Sequence, residues 1–219
     1  FYGFEFSYSD GCAIVSVRNP TKLAEGDKPL YNRVIVLDAG HGGYDGGALG
    51  ASAEHSEAAL NLRIVLEAKQ RLEALGANVI LTRGDDMYVA LTNRIAEVEA
   101  LSPDLCVSVH QNSMEYNVDV TKVHGSLALY WEYAGRSLSD VMSRSFSTYL
   151  GRQNRGASTQ KLAMVRCERY PSTLVEVGFM TNVEELEHIA SPDGIKRAAE
   201  AIVNGILDYY AMQEEMLLL

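Results

Sequence analysis

"VIVLDAGHGG", residues 34–43, is the stretch on which the fold turns. Val34, Ile35, Val36 and Leu37 form an unbroken apolar run, three of them β-branched, and glycines 40, 42 and 43 end it. Such a run, closed by a turn, reads as a buried strand. From Tyr31 onward the chain repeats the pattern, strand then helix. "SEAALNLRIVLEAKQRLEALG" carries Leu60, Ile64, Ala68, Leu72 and Leu75 on one helical face, with Gly76 as its stop. "ANVILTR" reads as a strand, "LTNRIAEVEALS" as a helix, and "DLCVSVH" and "GSLALYW" as strands. "RSLSDVMSRSFSTYLG" reads as a helix with Leu138, Val141, Met142, Tyr149 and Leu150 inward, and "STLVEVGF" as a strand. Near the end, Thr181 and Glu184 have capping-box spacing, and Ser191-Pro192 opens a last helix with Ile195, Ala199, Ile202 and Ile206 inward. The alternation predicts an α/β fold in three layers, a twisted, mostly parallel sheet with helices on both faces.

Before Tyr31 the texture differs. Phe4, Phe6 and Tyr8 alternate, "SDG" follows, and Ala13–Val17 is apolar, which predicts a β-hairpin. "RNPTKLAEGDKP" reads as a linker. Residues 1–30 are therefore expected to be a hairpin and linker, either the tail of a preceding domain or an edge ribbon. Residues 31–219 are expected to form one catalytic domain.

The bulk properties narrow the function. With 219 residues, 47% hydrophobic and 22% charged, the chain can bury one sizeable core. A formal net charge of −10 speaks against nucleic acid and anionic membranes, which need a basic footprint. No apolar run is long enough for membrane insertion, and the three cysteines, Cys12, Cys106 and Cys167, show no metal-ligand or disulfide spacing. The opening "FYGFEFSYSD" shows no basic n-region and no apolar h-region, so no signal peptide is expected within it. A fragment or processed form is expected, its targeting region elsewhere.

Ligands of such sheets sit beyond the carboxyl ends of the strands. His41 follows one strand and His110 another; Glu176 lies inside a third that is otherwise largely apolar; Glu57 opens the long helix. Singly, each has an ordinary explanation. A histidine in a glycine turn is a common loop residue, and acids favour a helix's first turn. A carboxylate within "TLVEVGF" is harder to dismiss, because a buried charge needs a cation or a proton. Together, two histidines and a carboxylate make a plausible catalytic zinc set with a fourth position open for water, and a second carboxylate can move protons. The glycines beside His41 are expected to leave room for metal, water and substrate.

Several segments, in order, then carry a resemblance: "VLDAGHGGYDGGALG", "EAALNLRI", "LTRGDDMYVALTNRIAEV", "PDLCVSVHQNS", "NRG" at 154–156 and "STLVEVGFMTN". The chain resembles the zinc-dependent N-acetylmuramoyl-L-alanine amidases of the third amidase family, which includes cell-division and spore-cortex-lytic enzymes. The resemblance runs from about Arg33 to about Tyr210. It implies His41, Glu57 and His110 as ligands of Zn2+, Glu176 as catalytic base and acid, and peptidoglycan as substrate. Ala39, Gln111 and Cys106 depart from the usual residues without removing a functional group. Arg166, His124 and Asn112 are candidate substrate contacts; His55 reads as a surface residue; Arg94 matches a family position without an evident role. A secreted or wall-associated, monomeric enzyme is expected, brought to the wall by another domain. A zinc carboxypeptidase on a similar scaffold and a silent wall-binding module remain as rivals. Only thirteen residues, 111–123, separate His110 from His124, too few for the autoinhibitory helix found after the second zinc histidine in cell-division members.

Overall fold

The computed structural model describes residues 2–48, 50–51, 55–115 and 117–218. Two strands open the chain, β1 (Phe4–Ser9) and β2 (Cys12–Val17), and pair only with each other, antiparallel. The predicted hairpin is present, but it does not extend the main sheet. Its base is rooted in the rest of the molecule. Tyr2 is buried edge-on against Tyr209, the Phe4 amide donates to the Glu168 carbonyl, and the Arg18 guanidinium donates to Ser102.

The main sheet follows: β3 (Val34–Ala39), α1 (Glu57–Ala74), β4 (Asn78–Leu81), α2 (Leu91–Leu101), β5 (Leu105–Asn112), β6 (Ser126–Tyr130), α3 (Tyr133–Leu150), β7 (Asn154–Thr159), β8 (Ser172–Phe179), α4 (Val183–Ala190) and α5 (Pro192–Met216). Strand order is β4-β3-β5-β8-β6-β7. The first four run parallel; β6 lies antiparallel to β8 and parallel to β7. No helix among the described residues is long and apolar enough to cross a membrane.

Strand alternation divides the side chains between two unequal faces. Ile35, Leu37 and Ala39 of β3, Leu105, Val107 and Val109 of β5, and Val175 and Val177 of β8 enter a large core with α1, α3 and α5. Val36 and Cys106 enter a smaller cluster with Val98 of α2, Met164 and Tyr170. Asp38, Ser108, His110 and Glu176 share the parity of this second face. Among the described residues its cover comes from α2, Leu162 and the 163–170 segment, and the polar residues gather beyond that cover.

Two local readings need correction. β7 is absent from the sequence-based expectation because "NRGAST" is polar and has no alternation, as an edge strand can afford. The cap of α4 is Asn182, whose Oδ1 accepts the Glu185 amide at 3.1 Å, one residue later than the Thr181–Glu184 spacing suggests. Thr181 instead accepts the Met114 amide, and Glu185 turns inward to accept the amides of Gly125 and Phe179. The cap of α5 is as read, with Ser191 Oγ accepting from Gly194 and Pro192 in the first turn.

Candidate metal centre and active site

His41 sits two residues beyond the end of β3 in the left-handed region, φ 62°, which a residue with a Cβ rarely adopts. Its ring meets that of His110 edge to face, with centroids 5.0 Å apart. The glycines around it serve a different purpose from the one expected. A Cβ at Gly40 would collide with the His110 imidazole, and one at Gly47 would collide with the Glu57 carboxylate and the His41 ring. The space they clear is filled by the site's own side chains.

Glu57 is the first residue of α1, after the Ser56 cap, and is 3% exposed. A carboxylate is favoured there by the helix dipole. Its Oε2 accepts the Ala48 amide at 2.7 Å and its Oε1 the Gln111 amide at 3.0 Å. The same Oε1 lies 3.3 Å from His41 Nε2 and 2.9 Å from His110 Nδ1. One ligand atom from each of His41, Glu57 and His110 falls within 4.8 Å of the others. The second nitrogen of His41, Nδ1, is 2.9 Å from Asp45 Oδ2. A carboxylate behind a ligating imidazole fixes its tautomer and raises its basicity.

The electrostatics point the same way. The hydrogen bond to Glu57 is the main cause that pushes His41 up to about 9, against its partial burial. Burial works to raise Glu57, yet the hydrogen bonds from His110 and His41 outweigh it and hold the carboxyl well below the usual range. Positive charge between these groups is therefore stabilised. Two imidazole nitrogens and one carboxylate oxygen, three donors converging from three elements, are the donor set that catalytic zinc takes.

Glu176 is the register partner of His110 on the neighbouring parallel strand, so both project to one face. Its Oε2 is buried with no hydrogen-bond partner, and burial raises the carboxyl to about 7. It stands outside the three-residue cluster. A buried orphan oxygen beside a metal-type donor set is the observation expected of a group that handles a proton rather than one that ligates. The cleft over this face has a volume of about 190 Å³ and is lined by His41, His110, Asp45, Tyr88, Arg94 and Met164, among others.

Residues 35–208 match the family model of the N-acetylmuramoyl-L-alanine amidases. The chain belongs to this family. It is 33% identical to the uncharacterized protein YqiI of Bacillus subtilis over 85% of its own length and 89% of that protein. It is 30% identical to the N-acetylmuramoyl-L-alanine amidase LytC of the same organism, over 87% of this chain but 38% of LytC. The structure superposes on the catalytic domain of CwlV, an N-acetylmuramoyl-L-alanine amidase from Bacillus (Paenibacillus) polymyxa, with TM-score 0.76 and 31% identity, covering 82% of this chain and 98% of that one.

Two arginines of the amidase domain complete the site. Arg94 is buried. It donates to Asp38 Oδ1 at 2.8 Å and to the carbonyls of Ala39, His41 and Val89 at 2.6, 2.5 and 3.0 Å. Arg83, also buried, donates to the carbonyls of Ala39, Gly40 and Ala58 at 2.8, 3.0 and 2.7 Å. Together they clip the His41 turn in place and tie it to the start of α1, where Glu57 sits. This is the role Arg94 lacks in sequence, and Arg83 escapes sequence reasoning altogether. A basic residue just past an apolar strand is the signal it leaves, and the acids that follow it, Asp85 and Asp86, point to an ordinary surface pairing instead.

The other candidates lie further out. Asn112 ends β5, and its Oδ1 accepts the neighbouring Ser113 amide. His124 lines a separate depression with Arg152, Asn182 and Glu184. Arg166 is exposed beside a neighbouring cavity between α2 and the 163–170 segment, which shares Met164 with the cleft. His55 is half-buried and outside the metal-type cluster.

Proposed function

We propose that this chain hydrolyses the amide joining N-acetylmuramic acid to L-alanine in peptidoglycan, with zinc at His41, Glu57 and His110. The convergence of these three ligand atoms beside the orphan oxygen of Glu176 carries the reading. Zinc there would supply Lewis acidity, polarising a carbonyl and lowering the pKa of water to about 7. His41 and His110 offer Nε2 and Nδ1, while Asp45 holds the His41 tautomer. The amides of Ala48 and Gln111 hold the Glu57 carboxylate in place. Glu176 takes the proton of the water that attacks the lactyl carbonyl carbon. As the C–N bond breaks, it returns that proton to the departing alanine nitrogen. Residues 31–219 carry this chemistry, acting as a secreted or wall-associated monomer.

The cleft works without an activator. After the end of β5, the described part of the 111–123 segment forms one 3-10 turn, Val120–Lys122, where the Val120 and Thr121 carbonyls accept from Asn182 Nδ2 at 3.2 and 3.3 Å, and no described residue of this segment lines the cleft. The test is digestion of purified sacculi by the zinc-loaded chain. New L-alanine amino termini should appear, with no rise in reducing sugar, and chelation should stop the release until zinc is restored. Release of free D-alanine would make the chain a carboxypeptidase. Binding without any product would make it a wall-binding module, and cleavage only after a partner protein is added would overturn the open cleft.

A further inference from the structure

Tyr44 and Tyr88 come from different loops and stack face to face, with ring centroids 4.3 Å apart and planes 28° from parallel. Both are exposed, Tyr44 to 83% and Tyr88 to 42%. Water normally disfavours two large rings left open in this way, and an exposed, pre-stacked aromatic pair is a ready surface for an amphipathic ligand. The pair is not held by its own stacking alone. The Gly43 amide donates to Asp86 Oδ1 at 2.9 Å, which locks the loop after His41 to the loop that carries Tyr88. Tyr88 also lines the cleft with His41 and His110, and Tyr44 lies three residues from His41. The platform is thus continuous with the metal-type cluster.

The geometry points to a sugar-binding subsite: Tyr44, backed by Tyr88, stacks against a pyranose ring of the glycan strand while the lactyl amide reaches the cluster. This rests on the amidase reading, and it adds where the glycan lies. The scissile carbonyl hangs from the sugar through a short lactyl ether, so a ring must pack close to the cluster. The choice between sugar and peptide on this rim follows from charge. The two loops carry Asp45, Asp85 and Asp86. Asp45 is taken up by His41 and Gly47, and Asp86 Oδ1 by Gly43, but Asp85 is exposed. Acids there repel the carboxylate end of a stem peptide and suit a ring that offers C–H groups to the tyrosine face and a hydroxyl to Asp85.

Two measurements on the zinc-loaded chain test this. The first is the affinity for peptide-free glycan strands of alternating N-acetylglucosamine and N-acetylmuramic acid, by calorimetry. Tyr44→Ala should weaken it about 3- to 10-fold, the scale of one aromatic contact, and Tyr44→Trp should restore it. The second is kcat/KM on glycan-linked stem peptides relative to an N-lactoyl-L-alanyl peptide without sugar. Tyr44→Ala should lower that ratio by a similar factor through KM, with kcat kept. Unchanged glycan affinity in Tyr44→Ala would overturn the subsite, as would an equal loss on both substrates. A wild-type chain that binds the strands but cleaves neither substrate would overturn the amidase reading and leave the sugar platform standing.

Discussion

Removing the Arg94 guanidinium should damage this protein more than any exposed charge change, and in a pH-dependent way that identifies the cause. Arg94→Met keeps the unbranched stem out to about the Nε position and deletes the charged head. In the wild type, Asp38 accepts from Arg94 Nη1 at 2.8 Å and from the hydroxyls of Thr82 and Ser108 at 2.6 Å each. Both members of the ion pair are buried, with side chains 4% and 2% exposed. The variant leaves Asp38 buried with two hydroxyls and no guanidinium in direct contact. The carbonyls of His41 and Val89 lose their guanidinium donor, while Ala39 keeps Arg83. Breaking a buried pair from one side costs about 3–5 kcal/mol, a large share of the about 5–15 kcal/mol that holds a domain together. At about 2–4 °C per kcal/mol for a chain of this size, the midpoint should fall by about 6–20 °C.

The sign of the pH dependence follows from Asp38. Burial raises its pKa, but Arg94 and the two hydroxyls outweigh burial and hold it below the usual value. Its contribution is present above the unfolded value of about 3.9 and is lost as pH falls through the depressed folded value. Between pH 5 and 7 the wild type therefore shows no Asp38-linked slope. Without Arg94, burial is expected to outweigh the two remaining hydroxyls, so that the folded pKa rises above the unfolded one. Stability is then lost as pH rises between the two, so the deficit of Arg94→Met should be larger at pH 7 than at pH 4.5. Asp38→Asn added to Arg94→Met removes the stranded charge and should recover about 1–3 kcal/mol at pH 7. Urea unfolding of the metal-free proteins at both pH values reads all three quantities. A deficit below about 1 kcal/mol would refute the reasoning. So would a deficit independent of pH, or a double variant no better than the single one.

Further expectations concern the site. Glu176→Gln should keep full zinc by elemental analysis and lose turnover on sacculi by about two orders of magnitude or more; lost zinc would make Glu176 a ligand. His41→Ala should lose stoichiometric zinc and activity together, and full occupancy would remove His41 from the metal set. Asp45→Asn removes the carboxylate behind His41 Nδ1 and should weaken zinc binding about 10- to 100-fold in a chelator competition, with the fold intact by circular dichroism. Gly40→Ala places a Cβ against the His110 ring and should weaken zinc at least as much; unchanged affinity would mean that the ring is free to move aside.

What was legible in the sequence divides by the kind of pattern each feature leaves. The parallel core strands are largely apolar runs, and α1, α3 and α5 are amphipathic, so their place could be read from periodicity. β7 carries "NRGAST", and at the sheet edge it needs no apolar face, so no periodicity marks it. The α4 cap slipped by one residue because Thr181 and Asn182 are both good caps and only the inward turn of Glu185 decides between them. The four residues of the proposed chemistry were legible as a set through their places in or at the ends of strands and at a helix start, and their separate roles through the family resemblance. Glu176 interrupts an apolar strand, His41 and His110 stand at strand ends, and Glu57 opens a helix.

The supports of that set left no such mark, and the reason is physical. Arg83 and Arg94 act mainly on backbone carbonyls, at Ala39, Gly40, His41, Ala58 and Val89. Every residue has a carbonyl, so no partner type at any spacing announces the bond. Only the path of the chain determines which carbonyls turn inward without a strand or helix to accept from. His41 creates that need. Its left-handed backbone breaks the ladder at the end of β3, which aims the imidazole at Glu57 and exposes the carbonyls behind it to a dry interior. A guanidinium with several donors in a fixed fork can satisfy such carbonyls at once; a lysine with one point charge cannot span them. The strained turn that presents the histidine and the buried arginines behind it are therefore two halves of one device, and the metal-type geometry depends on both.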